Sequence, residues 1–284
     1  MPRPPVEIAL ADFNGDGRAD IAIADHDTFA VYVLMGDGKG GWREGVTVRA
    51  RATGAPHIHG LVAGDLNRDG APDLLFASSG EGELVPLLND GKGGFTPGKS
   101  VRANRNAWHP TLADFNGDGV PDAAVAALNG DSIAVLLGDG KGGFSAPVRH
   151  RVFDRPFLVK AADLNGDGHQ DIYGVHDDHG RLTILLGDGK GGFQQAPGSP
   201  YDIGREAYGV EAIDLDGDGR LDLATAAGQE LRVFRQTQPG VFSGPVTRAQ
   251  GVGSFKMVSA DFDGDGRREL AVADSAHNRI AFFR

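Results

Sequence analysis

The sequence contains no cysteine, so disulfides neither staple the fold nor report a redox compartment. It has no apolar run near the ~20 residues that a membrane-spanning helix needs, which removes helical membrane insertion from the expected functions. No segment keeps a sustained helical periodicity. The start, Met1-Pro2-Arg3-Pro4-Pro5, lacks the apolar stretch of a signal peptide, so an exported form would already have lost its signal. Aromatic residues make up only 7% of the chain. Positive charge is outweighed, with a formal net charge of -11, which argues against nucleic acid and anionic membranes as partners.

What the chain does have is glycine, 44 residues of it, spread among apolar stretches within a 40% hydrophobic composition. That combination signals many tight turns rather than disorder. The pattern Asp-x-Asn/Asp-x-Asp-Gly-x-x-Asp/Glu occurs six times, beginning at Asp12, Asp65, Asp114, Asp163, Asp214 and Asp261, at intervals of 53, 49, 49, 51 and 47 residues. Of the 39 acidic residues, 20 lie in these loops. Taking those twenty charges away from -11 leaves a remainder of +9, so the acidity is local and a cation could neutralise it.

A second element follows each of the first four loops: Gly36 to Trp42 (GDGKGGW), Asn89 to Phe95, Gly138 to Phe144 and Gly187 to Phe193. It decays to Gln236 to Phe242 in the fifth repeat, and the sixth ends before reaching it. On paper the Gly-Lys turn resembles a phosphate-binding loop. A P-loop opens a helix whose amides face the phosphate, whereas a strand follows here, so these read as strand-connecting turns. Each repeat reads as four short strands. Examples are Val6 to Leu10 before the aspartate loop, Ile21 to Ala24 after it, the apolar Ala30 to Leu34, and Val46 to Val48 after the glycine turn. Four strands per repeat, with a period in the forties, fit a propeller blade. The expected fold is an all-β, six-bladed β-propeller in one domain over 1–284. Its blades are near 6–50, 58–102, 107–151, 156–203, 207–248 and 254–284, the last without its outer strand.

Phe-Asn-Gly-Asp-Gly after a short strand, then Leu-Leu-Gly-Asp-Gly-Lys-Gly-Gly-Phe, resembles the FG-GAP/VCBS repeat family, to which the calcium-binding propellers of integrin α chains and some lectins are related. The resemblance covers nearly the whole chain. It implies the propeller fold and calcium, and leaves adhesion, sugar binding and enzyme accessory roles open.

Calcium takes six to eight oxygens. Positions 1, 3, 5 and 9 of each loop supply side-chain oxygens, and position 7 can supply a carbonyl. The expected ligand sets, for up to six ions, follow the loops in chain order. They are Asp12, Asn14, Asp16, Arg18 and Asp20; then Asp65, Asn67, Asp69, Ala71 and Asp73; then Asp114, Asn116, Asp118, Val120 and Asp122. The remaining three are Asp163, Asn165, Asp167, His169 and Asp171; Asp214, Asp216, Asp218, Arg220 and Asp222; and Asp261, Asp263, Asp265, Arg267 and Glu269. An EF-hand needs a glutamate at position 12, where these loops carry Ile23, Phe76, Val125, Gly174, Thr225 and Val272. The fifth and sixth loops carry four carboxylates and are expected to bind most tightly. The second has Arg68 where the others have glycine, and is expected to be weaker.

Six positions before each first aspartate stand Val6, His59, Trp108, Phe157, Tyr208 and Phe255. These belong to the end opposite the calcium loops. They either pack the top of the core or form an aromatic cup for a cation or a sugar, with Glu206 near Tyr208. Seven of the nine histidines fall in connections at that end, among Asp25, Asp27, Asp177 and Asp178. His26, His57, His59, His109, His176 and His179 are the candidates for a transition metal, against the alternative of plainly solvated histidines. The first functional expectation is an extracellular or periplasmic, calcium-stabilised binding module for a glycan or protein. The second is a propeller enzyme or metal protein with a His-bound transition metal. The third is a structural piece of a larger adhesin. The sequence leaves catalysis and oligomeric state open.

Overall fold

The computed structural model describes residues 5–50, 57–176, 179–252, 254–274 and 276–284, with backbone alone at 5, 6, 254 and 255. Among the described residues there is no helix, so none that could cross a membrane. The chain divides into two compact units, Met1–Arg151 and Val152–Arg284. Each holds three antiparallel blades, and the six together give the expected propeller class.

In the first unit, blade one pairs Pro5–Ala11, Asp20–Asp25, Ala30–Gly36 and Trp42–Arg49 in sequence order. Blade two pairs Ile58–Gly64, Asp73–Ser78 and Glu83–Asn89, and its outer edge is shared by Phe95–Pro97 and Val101–Arg102. Blade three pairs Ala107–Ala113, Asp122–Ala127, Ser132–Leu136 and Val148–Arg151. In the second unit, blade four pairs Pro156–Ala162, Asp171–His176 and Arg181–Gly187, with Phe193–Gln195 and Tyr201–Asp202 outside. Blade five pairs Ala207–Ile213, Asp222–Ala227, Glu230–Phe234 and Val246–Gln250, and the ribbon Gln236–Gln238/Val241–Phe242 forms its glycine turn. Among the described residues blade six has three strands, as the sequence predicts: Ser254–Ala260, Glu269–Asp274 and Arg279–Phe283.

Blades pack face to face, and each core fills the space between two neighbours. Phe13, Val33, Met35, Leu61, Phe76 and Leu87 form one such layer, Leu66, Leu84, Val125 and Leu136 the next. The second strand of a blade is covered on both faces, so it reads as a continuous apolar run rather than an alternation. Asp73–Ser78, Asp122–Ala127, Asp171–His176 and Asp222–Ala227 are buried at every residue. The apolar residue at loop position 2 anchors the first four loops to this core, whereas Leu215 is half-buried and Phe262 exposed. Phe13, Leu66, Phe115 and Leu164 are buried there, and Phe13 meets Phe95 edge to face at 5.5 Å.

All six first strands lose regular register near their start, between Pro5/Glu7, Ile58/Leu61, Trp108/Thr111, Pro156/Leu158, Ala207/Gly209 and Ser254/Met257. A bulge re-aims side chains, and here it does so at the end away from the aspartate loops. A seven-residue strand separates the two ends by roughly 20 Å.

Candidate functional sites

The aspartate loops are built by their own amides. Asp12 Oδ1 accepts N–H from Gly15 (2.8 Å) and Asp16 (3.1 Å), and its Oδ2 accepts from Gly17 (2.7 Å). Asn14 Oδ1 accepts from Asp16 N, and Asp16 Oδ1 from Arg18 N. Position 6 has positive φ in every loop, from +78° to +87° across Gly119, Gly17, Gly219, Gly266, Gly168 and Gly70. Arg68 holds a left-handed φ of +63° where the other loops have glycine, a strained choice for a side-chain-bearing residue.

Position 9 carries a second task. Asp122 Oδ2 accepts from Phe115 N (2.9 Å) and Oδ1 from Gly138 N (2.8 Å), tying the loop to the end of the third strand. Asp20, Asp73, Asp171 and Asp222 make the same two bonds. Burial is the main force pushing Asp122 and Asp171 up to about 6, partly opposed by those amides and reinforced by the neighbouring loop carboxylates. A buried anion beside other anions fits a bound cation, which would lift that penalty. In the fifth and sixth loops, carboxylate oxygens of Asp214, Asp216 and Asp218, and of Asp261, Asp263 and Asp265, gather within 4.8 Å of one another. Such hard oxygen donors suit calcium. Arginines answer the extra charge in these two loops: Arg220 bonds Asp218, Arg235 bonds Asp216 and Asp222, and Arg284 bonds Asp263 and reaches Glu269. A cation in either loop has to displace or share those guanidinium contacts, an opposition that counting carboxylates does not reveal.

The Gly-Lys turns spend their amides internally. Asp37 Oδ1 accepts from Lys39 N (2.7 Å) and Gly41 N (2.8 Å), and Asp90, Asp139 and Asp188 repeat this pattern. No helix follows them, and they connect strands as the sequence predicts.

At the opposite end of the first unit, a bulge in each of two neighbouring strands brings histidines together. Gly60 has φ +88°, and a Cβ there would lie 2.4 Å from Pro110 Cδ and 2.7 Å from His109 Cα. Only glycine permits that approach, which leaves His59 stacked on Trp108 with ring centroids 3.5 Å apart and planes 14° off parallel. His57 lies 4.5 Å from His59 and 4.2 Å from His26, centroid to centroid. His26 Nδ1 sits 2.7 Å from Asp27 Oδ1. His109 is buried and faces Glu7 at 3.4 Å. Burial, then the neighbouring His26, holds the His57 imidazole below its usual pKa.

In the second unit Phe157 and Tyr208 meet edge to face at 5.5 Å. Glu206 is exposed with φ +60°. His176 is fully buried, its Nδ1 against the Asp154 carbonyl (2.9 Å) and its Nε2 against Thr183 Oγ1 (2.7 Å). His179 lies 3.5 Å from Asp154, and Phe153 packs against both histidines with Arg181 over its ring at 5.8 Å. His176 and His179 form no metal-holding group among the described residues. The Phe255 side chain and residues Asp177 and Asp178 lie outside the described residues. Glu7, Asp154 and Phe153 were not legible as site residues. Glu7 reaches His109 only through blade packing, and Phe153 and Asp154 reach His176 through strand pairing within blade four, although Asp27, adjacent to His26, was visible in the sequence.

The chain belongs to the FG-GAP-like repeat family, which it matches over residues 12–76, 65–125, 163–225 and 214–272. No curated protein matches it. Among solved structures it is similar to an Agrocybe aegerita lectin that recognises non-reducing terminal N-acetylglucosamine, at TM-score 0.63 and 18% identity, over 96% of this chain and 78% of that one. It is similar to a Lactobacillus plantarum protein at TM-score 0.65 and 16% identity, over 99% and 84%. It is also similar to virginiamycin B lyase of Staphylococcus aureus at TM-score 0.58 and 13% identity, over 98% and 83%. At these identities the likeness is one of fold.

Proposed function

We propose that this propeller is a calcium-stabilised binding module acting outside the cytosol, and that it holds a glycan at the strand-start end of its first unit. The observation that carries the reading is the stacked, half-exposed pair of His59 and Trp108, flanked by His26 with its Asp27 carboxylate and by His109 with Glu7. A sugar presents an apolar C–H face to such a ring and hydroxyls to neighbouring acceptors, the mixture that ligand sites generally use. Support also comes from the lectin with a similar fold. A protein partner is the alternative occupant of the same end. Calcium loops of extracellular modules bind weakly, with Kd roughly 10⁻⁴–10⁻³ M, and would be filled outside cells.

A glycan array probed with the wild type and with Trp108→Ala tests the reading. Binding to a defined sugar class, weakened at least about tenfold by the substitution, is expected from the loss of one stacking surface. An array without hits, or hits indifferent to Trp108→Ala, rejects it.

A further inference from the structure

The triad His26, His57 and His59 converges from two separate connections. His26 sits between the second and third strands of blade one, and His57 and His59 at the entry to blade two. One ligand nitrogen from each lies within 4.8 Å of the others. Backbone bonds hold both segments, with Ile58 N donating to the His26 carbonyl (3.2 Å) and Ser79 N to that of His57 (2.9 Å). The ring centroids stand 4.2, 4.5 and 5.1 Å apart. Three imidazoles bound to one tetrahedral zinc, with Zn–N of about 2.0–2.1 Å, place their centroids roughly 5 Å apart. The clustering therefore already approximates three corners of a tetrahedron.

We propose that His26, His57 and His59 form a site for a divalent transition metal of the zinc type, distinct from the aspartate loops; it shares His59 and Asp27 with the glycan reading but does not rest on it. The supporting chemistry is local. An ionised carboxylate can only accept, so the hydrogen bond to Asp27 places the proton of a neutral His26 on Nδ1 and leaves the Nε2 lone pair for the metal. This carboxylate–histidine arrangement fixes the tautomer and orients the ring. His57 is exposed and His26 and His59 are half-buried, so the fourth position faces solvent and is open to water or an exogenous ligand. Trp108, stacked on His59, limits rotation of that ring. Nitrogen donors select against calcium, so the two kinds of site divide the metals between them.

The test is a titration of chelator-stripped full-length protein with zinc chloride in millimolar calcium, against a competing chromophoric chelator. Cobalt(II) absorption serves as the geometric readout. The expected result is one equivalent of zinc, weakened at least about 100-fold by His57→Ala or His26→Ala and about tenfold by Asp27→Asn. Intense tetrahedral cobalt bands accompany it, while His179→Ala still binds one equivalent. The exposed His57 makes its variant the one least able to disturb folding, and His57→Gln with a matching thermal melt controls for that. Affinity within twofold of wild type in both histidine-to-alanine variants, or weak octahedral cobalt bands, overturns the proposal. A glycan array without hits, with stoichiometric zinc binding kept in the wild type, leaves the metal site standing by itself.

Discussion

At the scale of single residues, His176 shows how the same residue type serves opposite ends. In the sequence it pairs naturally with His179 as a metal candidate. In the folded chain both its nitrogens are engaged and its ring is enclosed. Burial is the leading cause that lowers its pKa to about 4, from an ordinary value near 6.5. The unfolded chain then binds a proton that the folded chain refuses between those two values. Stability contributed by the neutral ring is complete above about 6.5 and declines as pH falls toward 4. At pH 5 the loss should be about 2 kcal/mol relative to pH 7.5, taking about 1.36 kcal/mol per pKa unit. Urea denaturation of wild type and His176→Asn at both pH values measures it, and equal pH slopes for the two would refute the assignment. The half-buried contact of Lys160 with Glu211 was likewise invisible beforehand. Its two residues lie 51 positions apart and meet only when blades four and five pack.

At the scale of elements, strand positions were legible because loop and turn motifs punctuate each repeat. The register breaks at the strand starts were not, since a bulge is defined by its partner strand. The glycine turns gain a further meaning in three dimensions. A Cβ on Gly93 would lie 2.4 Å from Met35 Cε, and one on Gly142 would lie 2.5 Å from Leu88 Cδ2, so each turn lies against the preceding blade. Where the third strand ends in an amide side chain, that side chain stitches the blades together. Asn89 Nδ2 donates to the Phe13 carbonyl and to the Pro72 carbonyl, both at 2.9 Å. Gln236 reaches the Leu164 and Leu221 carbonyls in the same way. Removing the Asn89 amide leaves two carbonyls without that donor. Asn89→Ala is therefore expected to cost about 1–3 kcal/mol in chemical denaturation. A change under a few tenths would mean that solvent replaces the bonds freely.

At the scale of the whole molecule, charge is the organising quantity. Twenty of 39 acidic side chains crowd into six loops of nine residues, while the rest of the chain is net positive. The carboxylate and amide pattern of the loops was legible in the sequence because position within the loop sets the donor type. The arginines that meet the fifth and sixth loops were not, because Arg235 and Arg284 stand just past the ends of third strands, far from the loops in sequence. Apart from those arginines, the repulsion within each loop is balanced chiefly by backbone amides, which orient the carboxylates without neutralising them. A divalent cation that binds only the native loops stabilises the fold by about 2.7 kcal/mol per site when present at 100 times its Kd. Several filled sites in a chain of this size should raise the melting temperature by at least about 5 °C, at roughly 2–4 °C per kcal/mol. Calorimetric melts in millimolar calcium and in excess chelator read this directly. Magnesium should substitute poorly, because it demands a tighter octahedral shell than these nine-residue loops are spaced to provide. An identical midpoint with and without calcium would mean that amides and arginines already balance the loops, and that the carboxylates serve as turn formers alone.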